Sequence, residues 1–221
     1  MKNIIHLSGT TMLLFVLFSF GKKEIKNKNI SSPFNYQDFK TIKIGSQIWM
    51  AENLDVDHYR NGDKIPEAKD RKDWVKFRED GKGCWCYYDN KSRNGKIYGK
   101  LYNYYALHDE RGLAPAGWHV PDSQELILLI NSFGSNDGKK LKSTDGWKDN
   151  GNGTNETGFN GQPGGHMEQD YYFHGLGLDG YWWSFDEDDI VAFCLKSYGW
   201  IGLCDLNYSS GASVRCIKDE K

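Results

Sequence analysis

The amino-acid sequence predicts an α+β fold of short strands, one or two helices and long glycine-rich loops, and three observations predict it. Of 221 residues 14% are aromatic, with 8 Trp and 13 Tyr, and 25 are Gly, while only 38% are hydrophobic. That mixture supports few long amphipathic helices and suits strands joined by loops studded with rings. One segment, beginning at Asp122, reads as a helix, and the stretch after His166 reads as a series of short strands. Charge names no partner: 28 Lys+Arg stand against 30 Asp+Glu, for a net charge of −2. A strongly basic nucleic-acid binder is thereby excluded as the first reading. The chain is long enough to bury a core without relying on metals or disulfides.

Taken in order, residues 12–20 (MLLFVLFSF) form an apolar run behind Lys2, and Ser19 and Gly21 supply small residues at −3 and −1 of a cut after Gly21. This is the layout of a secretory signal peptide. The run is about half the length that a bilayer span needs. Residues 1–21 are therefore read as a leader, and the protein as exported to the periplasm, cell surface or exterior, with no membrane span in the mature chain. A lipoprotein would carry Cys next, where this chain has Lys22, so lipid anchoring is not supported. Residues 22–40 are polar, rich in Lys, Asn and Ser, and read as a tether.

The folded body is expected to be one domain over 41–219. It opens with Ile42, Ile44, Ile48 and Met50 alternating around Gly45-Ser46, the pattern of a β-hairpin. Residues 55–83 are charged and poor in aliphatics, and read as a surface excursion carrying Trp74 and Phe77. At Asp122, with Pro121 before it and Glu125 three residues on, stands a capping box. Leu126, Leu129, Ile130 and Phe133 then share one helical face, and Gly134 is placed to end the helix. The segment 134–165 holds too many Gly and Asn for a regular element, so it must be functional or held down by its own contacts. Short strands are expected near 171–173, 180–184, 190–195, 200–205 and 213–217.

Five cysteines lie after the leader: Cys84, Cys86, Cys194, Cys204 and Cys216. In an oxidising compartment, two bridges and one leftover thiol are the natural count. Cys84 and Cys86 are too close to pair without strain. Neighbouring strands would set Cys194 beside Cys204, and a second bridge would tie the Cys84/Cys86 region to Cys216. A C-x-C zinc site is the competing reading, but no second thiolate pair and no H-x-x-x-H accompanies it.

At GWHVPDSQEL and the elements around it the chain resembles the Fibrobacter succinogenes major paralogous domain, found in exported and lipoprotein-like bacterial proteins. The matching pieces come in the family's order: IGSQIWMAENLD, CWCYYDN, YGKLYNYYAL, APAGWHVPDSQEL, the Trp-to-Asn stretch 147–160, PGG, GYWWS and SVRCIKD. The resemblance implies a C-type lectin-like α+β fold, related also to formylglycine-generating enzymes, whose helix start looks like residues 121–126. It implies no general activity. It maps two typical cysteines onto Cys86 and Cys216, which sharpens the second bridge and leaves Cys84 over. The chain departs from the pattern at Lys22 and in the acidic FDEDD after Trp183-Ser184.

Chemistry-bearing constellations are sparse. Calcium-dependent lectins hold the ion through E-P-N or Q-P-D with W-N-D; here Gln162-Pro163-Gly164 lacks the third ligand and no W-N-D occurs. Asp149, Asn150, Asn152, Asn155 and Glu156 could ring a cation, as could residues 186–189, but such loops are more often solvated turns. No cofactor is expected, and calcium has no motif behind it. There is no G-x-S-x-G, H-E-x-x-H or phosphate loop, and His166-Met167-Glu168 lacks the P-C-x-x-C that zinc deaminases require. His119 reads as a structural hydrogen-bonding residue. The remaining candidates are aromatic: Trp147, Tyr181, Trp182, Trp183 and Trp200 can stack on a ligand or serve as core for the long loops. The expected function is a non-catalytic binding or adhesion module of the cell envelope, for a glycan or cell-surface polymer. The alternatives are a thiol-dependent enzyme using Cys194 and Cys204, and a purely structural envelope protein.

Overall fold

Among the described residues, three small antiparallel sheets and four short α-helices form an α+β arrangement in which sheet predominates. A computed structural model describes residues 39–134, 136–168, 171–186 and 190–220. The expected leader (1–21) and all but the last two residues of the expected tether (22–40) lie outside the described residues.

The hairpin forms where expected: β1 (Thr41–Ile44) pairs with β2 (Gln47–Met50), Ile44 opposite Gln47, around Gly45-Ser46. Gly45 takes φ 59°, a left-handed conformation that favours glycine. Its apolar residues, however, do not share a face. Residues paired across an antiparallel ladder point the same way, so Ile42 faces with Trp49 and Ile44 with Gln47, while Ile48 and Met50 point oppositely. Ile42, Ile44 and Trp49 enter one core cluster and Met50 another.

Residues 55–83 are not a surface excursion. Tyr59, Ile65 and Trp74 are fully buried. The segment contains α1 (Arg71–Glu79), capped by Asp70, whose carboxylate accepts the Asp73 N–H at 2.9 Å. Trp74 anchors this helix to a third core cluster with Ala68, Cys84, Cys86 and Met167, its indole donating to the Ser209 carbonyl at 3.0 Å.

Next come β3 (Trp85–Cys86), α2 (Ser92–Tyr98), β4 (Leu101–Asn103), α3 (Tyr104–Leu107) and β5 (Trp118–His119). Helix α4 (Ser123–Asn131) has the expected capping box between Asp122 and Glu125, and Leu126 and Leu129 on its buried face. Gly134 follows with φ 77°. Then come β6 (His166–Met167), β7 (Phe173–His174), β8 (Asp179–Trp183), β9 (Val191–Lys196), β10 (Ile201–Asp205), β11 (Gly211–Ala212) and β12 (Ile217–Lys218). Of the expected strand at 213–217 only Ile217 lies in a strand, β12, and Val214 and Cys216 belong to a connector whose carbonyls accept the N–H groups of Leu54 and Met50.

Strand order is β1-β2-β12-β5, β10-β9-β8 and β3-β4-β11-β6-β7. The described residues form one compact unit. Strand β8 also touches β6 and β11 of the five-stranded sheet, and its adjacent Trp182 and Trp183 point to opposite faces. Trp182 packs with Phe159, Phe193 and Trp49, and Trp183 with Met50, Tyr102 and Val214.

Candidate binding site

Of the two readings of the aromatic residues singled out in the sequence, ligand platform or core for the long loops, the structure gives core for Trp147, Trp182 and Trp183. Trp147, Trp182 and Trp183 are 5%, 2% and 1% exposed, leaving no ring face free for a ligand. Trp147 pins the glycine-rich loop, its indole N–H shared between Ser143 Oγ (3.0 Å) and the Gly161 carbonyl (3.1 Å). The Trp183 indole donates to the Tyr102 carbonyl at 2.7 Å. Tyr181 is half-buried, 4.1 Å from the His166 ring and beneath the Lys196 ammonium. Trp200, also half-buried, lies across Gly202, where a Cβ would come within 2.5 Å of the indole.

The loop 134–165 is stitched down. Asn152 Oδ1 accepts the Trp147 N–H at 3.0 Å, and Asn155 Oδ1 accepts the Asn160 N–H at 2.7 Å. Asp149, Asn150 and Asn155 adopt left-handed φ of 54°, 57° and 52°, a conformation their short polar side chains tolerate. These amides serve turns. Asp186 accepts the Ser123 hydroxyl at 2.8 Å, and residues 187–189 lie outside the described residues. No group of three His, Cys, Asp or Glu that could hold a metal ion occurs among the described residues.

Cys194 and Cys204 are bridged between β9 and β10, with Cα atoms 6.1 Å apart. The expected Cys86–Cys216 bridge does not form. Cys86 packs with Cys84 in the third cluster, whereas Cys216 packs beside Met50 and Val214 in the first. Burial pushes all three thiols well above the ordinary cysteine range.

His119 and His166 both lie against carboxylates. His119 hydrogen-bonds Glu125 (2.9 Å) and Asp219 (2.8 Å), joining β5 to the capping box and the chain end. The Glu125 contact, reinforced by Asp219 against partial burial, raises its pKa to about 9. His166, 6% exposed, lies 3.5 Å from Glu168, and its Nδ1 has no partner among the described residues. Desolvation, outweighing Glu168, lowers its pKa.

A partly exposed ladder of rings lies elsewhere. Tyr104 stacks on His108 (centroids 4.0 Å, 22°), His108 stacks on Phe185 (4.8 Å, 24°), and Tyr208 stands edge-on to Tyr104 at 4.8 Å. Phe185 is 41% and Tyr208 55% exposed. The Phe185 N–H donates to the Pro121 carbonyl at 2.8 Å, which fixes this ladder beside the start of α4. Tyr104 and His108 are one helical turn apart, but nothing local in the sequence brings Phe185 and Tyr208 to them.

A cleft of about 290 Å³ opens between residues 51–55, α2 and the end of the long loop, lined among others by Glu52, Asn53, Asp55, Lys96, Gln162 and Arg215. Asn53 organises its floor. Its Oδ1 accepts from the Trp182 indole (2.7 Å) and from Arg215 Nε (3.1 Å) and Nη2 (2.6 Å), and its Nδ2 donates to the Tyr98 carbonyl (2.8 Å). Arg215 is 2% exposed, and desolvation, only partly offset by Glu52, lowers its pKa to about 9.

The model of one protein family, the Fibrobacter succinogenes major domain, matches residues 42–218. No curated protein and no solved structure matches the chain.

Proposed function

The chain belongs to the Fibrobacter succinogenes major domain family, and from that membership we propose that it is an exported, non-catalytic binding or adhesion module of the bacterial cell envelope, built on a C-type lectin-like fold. The observation that carries the binding reading is the ladder of half-buried Tyr104 and His108 with exposed Phe185 and Tyr208. Flat rings held rigid by their neighbours lose little freedom on binding, and they stack on sugar faces or apolar side chains. Export is supported by the leader-like run at 12–20 and by the Cys194–Cys204 bridge, which persists in oxidising compartments. No helix among the described residues is long and apolar enough to cross a membrane.

The thiol-enzyme alternative is disfavoured by the burial of Cys194 in its bridge and by the raised pKa values of the other thiols, since a thiolate is the reactive form. Glycan and cell-wall arrays, run with calcium and with chelator, test the proposal. Binding is expected, weakened about tenfold by Phe185→Ala or Tyr208→Ala. Absence of binding together with turnover of a substrate would overturn it.

A further inference from the structure

We infer that the cleft beside α2 is a second, separate site, which takes a small oxyanion group, a carboxylate, sulfate or phosphate, through Arg215. The inference stands apart from the aromatic ladder and starts from unmatched charge. A buried guanidinium is costly unless an anion and a full set of acceptors compensate it. Arg215 has only neutral acceptors: Asn53 Oδ1 takes its Nε and Nη2, and the Phe159 carbonyl takes its Nη1. A guanidinium carries five N–H donors, so two remain beyond these three bonds. The rings of Phe159 and Trp182, at 4.1 and 5.6 Å from the guanidinium carbon, offer π density in place of a carboxylate.

The other charges lining the cleft sharpen the imbalance. Glu52 is paired with Lys40 at 3.6 Å, and Asp55 with the buried ammonium of Lys100. Lys96 and Arg215, the cations that line the cleft, have no carboxylate partner among the described residues. Asp55 is committed and Glu52, mostly exposed, is shared between Lys40 and a partial compensation of Arg215, so Lys96 and part of the Arg215 charge remain unmatched. Arginine suits an oxyanion because its planar donors match the oxygen spacing of carboxylate, sulfate and phosphate. An anion entering the cleft would also meet donors already held in place by Asn53, so little ordering remains to oppose binding.

The test is a titration of the full chain, labelled with nitrogen-15, with acetate, sulfate and inorganic phosphate at constant ionic strength, against chloride. A second arm compares glucuronate with glucose, which separates a sugar-borne carboxylate from a free inorganic anion. The Arg215 Nε–H and the Trp182 indole N–H report directly on the floor of the cleft. Saturable shifts of both, with an affinity in the millimolar range, are expected for at least one oxyanion and not for chloride or glucose. Asn53→Asp keeps the shape of the floor and supplies a built-in carboxylate, so it should weaken that response about tenfold or more. The inference is overturned if neither resonance of the wild-type protein moves saturably with any oxyanion, a result that does not depend on any variant folding. It is equally overturned if a folded Asn53→Asp protein responds like wild type.

Discussion

Replacing Asn53 with Ala should be among the most damaging single changes to a residue that is not itself fully buried. The side chain gives four hydrogen bonds, three of them accepted by one oxygen from Trp182 and Arg215. Both donors' side chains are 2% exposed, so the loss strands them inside the protein. A stranded buried donor costs about 1–3 kcal/mol, and bonds to charged groups are worth about 1.5–3 kcal/mol. The three bonds share one acceptor and are not additive. Water entering from the cleft recovers part of the loss, whereas Tyr98 at the end of α2 is readily rehydrated. The net cost is about 3 kcal/mol, a large part of the roughly 5–15 kcal/mol that holds a domain together, and it lowers Tm by about 6–12 °C at this size. Urea unfolding followed by tryptophan fluorescence measures it, run as a cycle with Arg215→Met. Once the guanidinium is gone its demand on Asn53 is gone too, so Asn53→Ala should cost at least ~1.5 kcal/mol less in that background. A cost below ~1 kcal/mol in the wild-type background, or an uncoupled cycle, would refute the reasoning.

His119, raised to about 9 by Glu125 and then Asp219, contributes stability that is fully present below the unfolded histidine pKa of about 6.5 and is lost as pH rises through about 9. Urea midpoints should therefore fall across that window in wild type and much less in His119→Gln; parallel profiles would disprove the linkage. Thiol titration with an aromatic disulfide reagent should find no reactive group in the native protein and three in the unreduced, denatured chain, whereas a Cys86–Cys216 bridge would leave one. Replacing Cys194 and Cys204 with Ala should cost about 1–2.5 kcal/mol in the same urea assay, because the bridge closes a short loop that the β9–β10 ladder already constrains; no change at all would contradict this. Gly153→Ala should destabilise by several kcal/mol, as its Cβ would come within 2.4 Å of the Lys139 and Lys142 carbonyls, while Gly134→Ala meets open space and only a strained φ of about 1 kcal/mol. Equal midpoints for these two glycine variants would contradict that packing.

What the sequence revealed and what it concealed divide by range. The α4 capping box is a conversation between residues three apart, and the Gly45-Ser46 turn needs only its own neighbours, so both were legible. The faces of that hairpin were not, because a two-residue turn reverses the parity of the alternation and sends Ile48 and Met50 away from Ile42 and Ile44. Tyr59, Ile65 and Trp74 were hidden among charges because they reach the core singly, without a helical or strand period. Composition could count the tryptophans but not place them. Trp182 is fixed by Asn53, 129 residues earlier, and Arg215 by the same amide 162 residues earlier. The Cys86–Cys216 pairing failed for the same reason, since membership of one core cluster or another is a property of the whole fold.

The pairing of β12 with β2 and β5 sets an order of events for the newly made chain. Trp49, from the first hairpin, and His119, about 70 residues on, both flank Ile217, about 100 residues further still. Arg215 and Cys216, just ahead of it, reach the floor of the cleft and the first core. A chain emerging from a ribosome therefore has no completed first sheet until residues 217–218 are free. Until then it remains open to chaperones. Such closure, dominated by contacts distant in sequence, makes folding slow, and a nonsense codon ahead of Ile217 would leave every upstream segment intact yet the first sheet unfinished.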